Sequence, residues 1–295
     1  MKIFQNNLLN LKNVVLILGF FDGIHLGHRK VIASAVSYAK EHNLKTVLYT
    51  FKQSPAEVLN NKADYIYSRS FNYKLIADLN VDFLIENDFK DLINLSKDEF
   101  ITNLTNEYAP KAIFSGFNYT FGKNKEGNIE YLNNKANELG YKYFYIESVN
   151  IDNKVISSTE IKNFLIKADL ESANYSLALP FTIMGKIIKG KQIAQTLGFP
   201  TANIEYPEKI IKIPFGVYKA KYETFNAVLN WGIKPTFNNI PEPILELHVI
   251  NFNNNLYDKN INFQILKKIR DEKKFSNTQE LKEQINKDIM ECSKL

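Results

Sequence analysis

The 295-residue chain is 45% hydrophobic and 23% charged, a balance that fits a soluble globular protein with apolar material for two domain cores. Its net charge of +5 is spread along the chain without a Lys/Arg block or basic stripe, which argues against nucleic acid and suits phosphorylated small molecules. The single cysteine, Cys292, excludes an intramolecular disulfide framework and a multi-cysteine metal site, and points to a reducing, cytoplasmic setting. Asn6, Asn7, Asn10, Lys12 and Asn13 break any secretory pattern, and the apolar run from Val14 to Phe21 is too short to span a bilayer.

The first ~165 residues alternate short apolar runs with helical patterns, the mark of a parallel sheet covered by helices. Near-continuous apolar character predicts strands at 14–20, 45–51, 82–87, 111–116 and 141–149. Between them, 27–42 reads as a helix with Val31, Ile32, Ala35, Val36 and Ala39 on one face. Another helix starts at Ser96, where Ser96-x-x-Glu99 forms a capping box, and a third covers 128–139 and stops at Gly140. The stretch 167–182 is taken as the boundary between domains at 1–175 and 180–295. Beyond it, short strands separated by turn residues run to a final amphipathic helix at 277–290, carrying Leu281, Ile285 and Ile289. That pattern predicts a small antiparallel barrel closed by one helix.

The segment "GFFDGIHLGH" (19–28) joins the first predicted strand to the first predicted helix. A strand-to-helix turn at the carboxyl edge of a parallel sheet is where open α/β folds bind ligands, and a helix N-terminus favours phosphate. Gly23 and Gly27 let the backbone approach closely, and His25 and His28 add side-chain donors. The set suits a reaction that gathers negative charge on phosphate oxygens. A lone histidine would more often cap and pack; two in this context favour function. A metal pair is the other option, although the sequence offers no convincing third ligand.

These residues resemble the His-x-Gly-His signature of the nucleotidyltransferase superfamily and, more narrowly, the bacterial bifunctional riboflavin kinases/FAD synthetases. The resemblance implies that His25 and His28 contact ATP phosphates during adenylyl transfer, within a site that includes Gly19, Phe21, Asp22, Gly23 and Gly27. It extends to "ISSTEIKNFL" (156–165), where Ser157, Ser158 and Thr159 match a phosphate-holding segment and Lys162 stands in place of arginine, keeping the charge without the bidentate fork. It also covers "SGFNYTFGKNKEG" (115–127), matching at Asn118, Phe121 and Gly122. One departure falls in "TFKQSPAEVL", where Ser54 occupies the family's histidine position.

In the second half, "LGFPTANI" (197–204) resembles the Pro-Thr-Ala-Asn motif of riboflavin kinases. The resemblance implies that Thr201 and Asn203 bind Mg²⁺ and ATP phosphates, and hard oxygen ligands suit that ion. Gly185 and Gly190 match the family's opening strand and glycine loop, while Ala194-Gln195 replace its Gly-Arg. Glu246, in "ILELHVINF", matches the family's base at the riboflavin 5′-hydroxyl, and Arg270 and Phe275 match segments bordering the flavin.

The resulting expectation is an α/β protein with a Rossmann-like nucleotidyltransferase domain and a riboflavin kinase-like barrel. It would make FMN from riboflavin and MgATP, and FAD from FMN and ATP, without nucleic-acid or membrane partners. The departures at Ser54, Lys162 and Gln195 leave open an enzyme with one working half. A catalytically silent flavin- or nucleotide-binding regulator is the remaining alternative.

Overall fold

The computed structural model describes residues 1–5, 11–60, 64–151, 154–188, 199–234, 242–252 and 259–294. The chain divides into two compact units, one of Met1–Asp64 with Arg69–Ser157 and one of Tyr65–Ser68 with Ser158–Leu295.

The first unit is built on a parallel sheet. Its strands are β1 (Lys2–Gln5), β2 (Val14–Leu18), β3 (Lys45–Phe51), β4 (Phe83–Asn87), β5 (Ala112–Gly116) and β6 (Lys142–Ile146), in the order β1-β4-β3-β2-β5-β6. All five residues of β2 are buried, as a central strand covered on both faces requires. Around the sheet lie α1 (Leu26–Glu41), α2 (Pro55–Asn60), α3 (Arg69–Asp78), α4 (Phe89–Leu92), α5 (Lys97–Tyr108) and α6 (Ile129–Leu139). The reciprocal Ser96–Glu99 capping box opens α5, and α6 ends at Gly140 in the left-handed conformation, φ 74°. The strand expected at 141–149 stops at Ile146, and a small hairpin follows, β7 (Asn150–Ile151) with β8 (Lys154–Val155). The strand expected at 14–20 ends at Leu18, which frees Gly19 and Phe20 for the turn.

The second unit opens with α7 (Ser158–Ile166) and α8 (Leu170–Leu177). Thus 167–182 is not a bare connector: Asp169 caps α8, and Leu170, Ala173 and Leu177 bury one face. A closed antiparallel barrel follows in the order β10-β13-β12-β11-β14-β9, made of β9 (Phe181–Ile188), β10 (Ala202–Ile204), β11 (Gly216–Tyr222), β12 (Phe225–Lys234), β13 (Glu242–Val249) and β14 (Asn260–Arg270). Closure removes sheet edges. The final helix, α9 (Thr278–Ser293), packs on β12 and β11. Arg270 on β14 and the buried Asp288 on α9 form a two-pronged ion pair, with Nε at 3.0 Å and the terminal nitrogen at 2.7 Å from the carboxylate. Arg270 is half-buried, so its removal would leave the buried Asp288 carboxylate short of a partner, a loss of about 1–3 kcal/mol.

Gly185 has a packing reason of its own. A Cβ at this point of β9 would stand 2.2 Å from Ile204 Cγ2 and 3.0 Å from the Glu205 carbonyl. Gly185→Ala is therefore expected to destabilise the barrel by about 1–3 kcal/mol. Trp231, the chain's one tryptophan, is buried in the barrel, so its fluorescence in a urea titration reports that loss as a lower midpoint.

Candidate functional site

Strand order sets the first location. From β2 the chain moves to β3 on one side, whereas β5 joins β2 on the other, so the carboxyl end of β2 is the sheet's switch point. Residues 19–28 leave β2 there and enter α1. Gly23 has φ 89° and Ile24 φ 43°, two successive positive values that turn the chain sharply. Glycine takes this at little cost, whereas a fully buried β-branched residue does not, so Ile24 stores local strain. The buried Asn72 side chain on α3 accepts a hydrogen bond from the Gly23 N–H at 3.1 Å. α3 is itself held to the sheet by Arg69 and Tyr73, both bonded to the buried Glu86 carboxylate. Asn72 lies 49 residues from Gly23 and belongs to no motif, so only the fold reveals it.

His25 caps α1, its Nδ1 accepting from the His28 N–H at 3.3 Å. Its proton therefore sits on Nε2, which is left to donate. The two imidazoles stack with centroids 3.7 Å apart, and Phe21 meets His28 edge-on at 5.1 Å. Gly27 makes room for the stack: a Cβ there would stand 3.1 Å from the His25 ring. Gly19 lies likewise against the Phe21 ring, and Asp22 is buried in the turn. Burial holds the His25 pKa down at about 4 and pushes that of His28 well below 6.5, with proximity to His25 adding to the second effect. Both rings are neutral at pH 7, and His28 Nδ1 is buried without a hydrogen-bond partner.

Other expected residues of the first half are placed separately. Asn118 is exposed in the turn after β5, its Oδ1 close to Gly116. Ser54 caps α2, accepting from the Glu57 N–H at 3.0 Å, so it has a local role where the family carries histidine. Ser157 ends the first unit, while Ser158, Thr159 and Lys162 lie on α7 in the second.

In the barrel, the register does the assembling. Glu246 on β13 is opposite Asn203 on β10 and Asn230 on β12, so the three occupy one row, and a weak 3.5 Å contact links the Asn230 amide to Glu246. A cavity of about 320 Å³ lies against this face, lined among others by Thr201, Asn230, Glu246, His248 and Arg270, with Ile285 of α9 opposite. Arg270 thus reaches the cavity while remaining paired to Asp288. Glu272 borders the same cavity, accepting from the Ile233 N–H at 3.1 Å. Asn203 is buried with its Oδ1 unpartnered, an oxygen available to a cation or a donor. Together with the Thr201 hydroxyl it forms a neutral oxygen pair that fits a hard divalent ion sharing its shell with phosphate. Gly190 and Gln195 lie outside the described residues. Asn230 and His248 were not singled out by motif; period-two spacing from Glu246 on one strand is the signal that finds His248.

Burial of His25 has a stability consequence. An unfolded His25 takes up a proton near pH 6.5 and the folded one only near pH 4, so stability is full above pH 6.5 and is lost as pH falls toward 4. For His25 alone the loss amounts to about 3 kcal/mol. Calorimetry between pH 7 and 4 is expected to show a smaller drop for His25→Asn, which keeps a capping oxygen but cannot titrate.

Residues 8–160 match the family model of FAD synthetase, and residues 177–295 that of riboflavin kinase. A bifunctional riboflavin kinase/FMN adenylyltransferase of Buchnera aphidicola (from Schizaphis graminum) is 37% identical, the alignment covering 94% of this chain and 92% of the relative. That of Bacillus subtilis is 35% identical over 94% and 91%. A crystal structure described as a macrolide-efflux protein from Streptococcus pneumoniae superposes with a TM-score of 0.90 at 25% identity, over the full length of both chains. With a synthetase match over half the chain and full-length relatives above 30% identity, the chain belongs to the family of bifunctional riboflavin kinases/FMN adenylyltransferases.

Proposed function

We propose that the chain phosphorylates riboflavin to FMN with ATP in residues 180–295, and in residues 1–175 transfers AMP from ATP onto FMN, giving FAD and pyrophosphate. The observation that supports this reading is that two separate polar clusters suit phosphate chemistry, the stacked histidines at the head of α1 and the Asn203–Glu246–Asn230 row of the barrel. A binding module has no need of both. The transport named for the Streptococcus pneumoniae structure is not carried over; among the described residues no helix is long and apolar enough to cross a membrane. The lone buried Cys292 suits a reducing, cytoplasmic setting.

In the kinase half, Glu246 accepts the proton of the riboflavin 5′-hydroxyl as its oxygen attacks the γ-phosphorus of ATP and ADP leaves. Thr201 and Asn203 would hold a divalent ion, Mg²⁺ by the hardness of the donors, which when bound would neutralise charge on the phosphates. Arg270, held by Asp288, keeps the cavity wall in place beside the flavin. In the adenylyltransferase half, an FMN phosphate oxygen attacks the α-phosphorus in line, and pyrophosphate leaves without a covalent enzyme intermediate. His25, neutral and protonated on Nε2, donates a hydrogen bond to phosphate oxygens where charge develops. The unpartnered His28 Nδ1 leaves that ring free to settle its tautomer on the bound phosphate. Orienting the two anions supplies much of the acceleration.

The test is a chromatographic trace of flavins formed from riboflavin, or from FMN, with ATP and Mg²⁺. The unsubstituted chain should give FMN and then FAD. Glu246→Ala is expected to cut FMN formation by about 10²-fold or more while leaving FMN-to-FAD conversion intact. His28→Ala is expected to do the reverse, and equal loss of both products in either variant would refute the division of labour.

A further inference from the structure

β10 is short, and its ladder to β13 covers only Ala202–Leu247, Asn203–Glu246 and Ile204–Leu245. The residues just before it, Pro200 and Thr201, lie outside that ladder, and proline contributes no N–H of its own. There a side chain makes the cross-strand bond and satisfies the Pro200 carbonyl, with His248 Nδ1 lying 2.8 Å from its oxygen. A carbonyl only accepts, so Nδ1 carries the proton and donates it. Phe199 packs edge-on against the same ring, with centroids 6.1 Å apart and planes at 87°. His248 and Glu246 are two residues apart on β13, share its face, and line one cavity with Thr201.

We infer that His248 is a positioning residue of the kinase half: through the Pro200 carbonyl it fixes the Thr201–Asn203 segment beside Glu246. The inference rests on the kinase reading above. One strand then carries both the carboxylate and the tether that sets the ATP- and metal-holding oxygens relative to it. His248 acts through the chain it holds and does not touch the reacting atoms.

The experiment compares His248→Ala, His248→Asn and His248→Gln in the full chain. Asparagine places an N–H donor where Nδ1 stands, and glutamine places one where Nε2 stands. FMN formation is followed at varied MgATP and at varied riboflavin, and the fluorescence of Trp231, buried in the barrel, reports in the same samples that this unit is folded. The alanine and glutamine variants are expected to raise the KM for MgATP by about 10-fold, the scale of an outer-shell loss at a metal site, with the KM for riboflavin unchanged. The asparagine variant should restore the MgATP KM. Asparagine and glutamine behaving alike, or both KM values rising together, overturns the tether. If the alanine variant does not fold, the asparagine–glutamine pair decides. A kinase whose MgATP KM ignores all three substitutions removes the tether alone, whereas an unsubstituted chain that makes no FMN removes the kinase reading and the tether with it.

Discussion

The register of β13 between β10 and β12 is the constraint on which the second half depends. Side chains alternate along a strand, so the pairing that sets Glu246 opposite Asn203 and Asn230 also turns Leu245 and Leu247 into the barrel. A slip of one residue would send the carboxylate into the apolar interior and two leucines toward the cavity. Closure of the barrel forbids that slip, because every strand is fixed by two neighbours. The Asn203–Glu246–Asn230 row is thus positioned by the same hydrogen bonds that hold the core. The cavity needs only one more wall, which α9 supplies and the Arg270–Asp288 pair fastens.

The first half solves its positioning problem differently. There the candidate side chains, His25 and His28, stand at the end of a turn and on the helix it opens, and the turn needs outside support. Asn72 supports the Gly23 amide, His25 caps the helix that carries His28, and the stacked rings brace one another. The strained Ile24 is tolerated because the buried surroundings over-determine it. The His25 ring is buried and that of His28 half-buried, so the fold holds this pair against the head of the helix with little freedom to move.

Much of this was legible in the sequence where local chemistry and global fold agree. The sheet strands at Val14, Lys45 and Ala112 are continuous apolar runs, and the ends of α5 and α6 carry their caps in plain view. β1 was missed because an edge strand of four residues with a mostly exposed pattern carries no hydrophobic signal. α8 was absorbed into the boundary stretch, although Leu170, Ala173 and Leu177 repeat at helical spacing. The histidine pair and Glu246 were readable as motifs. Their supports were not, because Asn72 and Asp288 act across 49 and 18 residues, through contacts that only the folded chain creates.

One further feature concerns how the molecule comes to be made. Tyr65–Ser68, encoded inside the first half, belongs to the second unit: Tyr65 exchanges main-chain hydrogen bonds with Lys209 and Ile211, and Tyr67 stacks on Phe181 at 5.9 Å. On a ribosome, this short stretch emerges well before the strands that receive it. It must wait, with Tyr67 uncovered, until more than a hundred further residues have been synthesised. The second unit therefore cannot finish by local folding alone; its last piece arrives from behind, across one of the longest loops in the chain. Nor can one cut between the two halves yield two complete parts, since the later one would leave a strip of itself in the earlier.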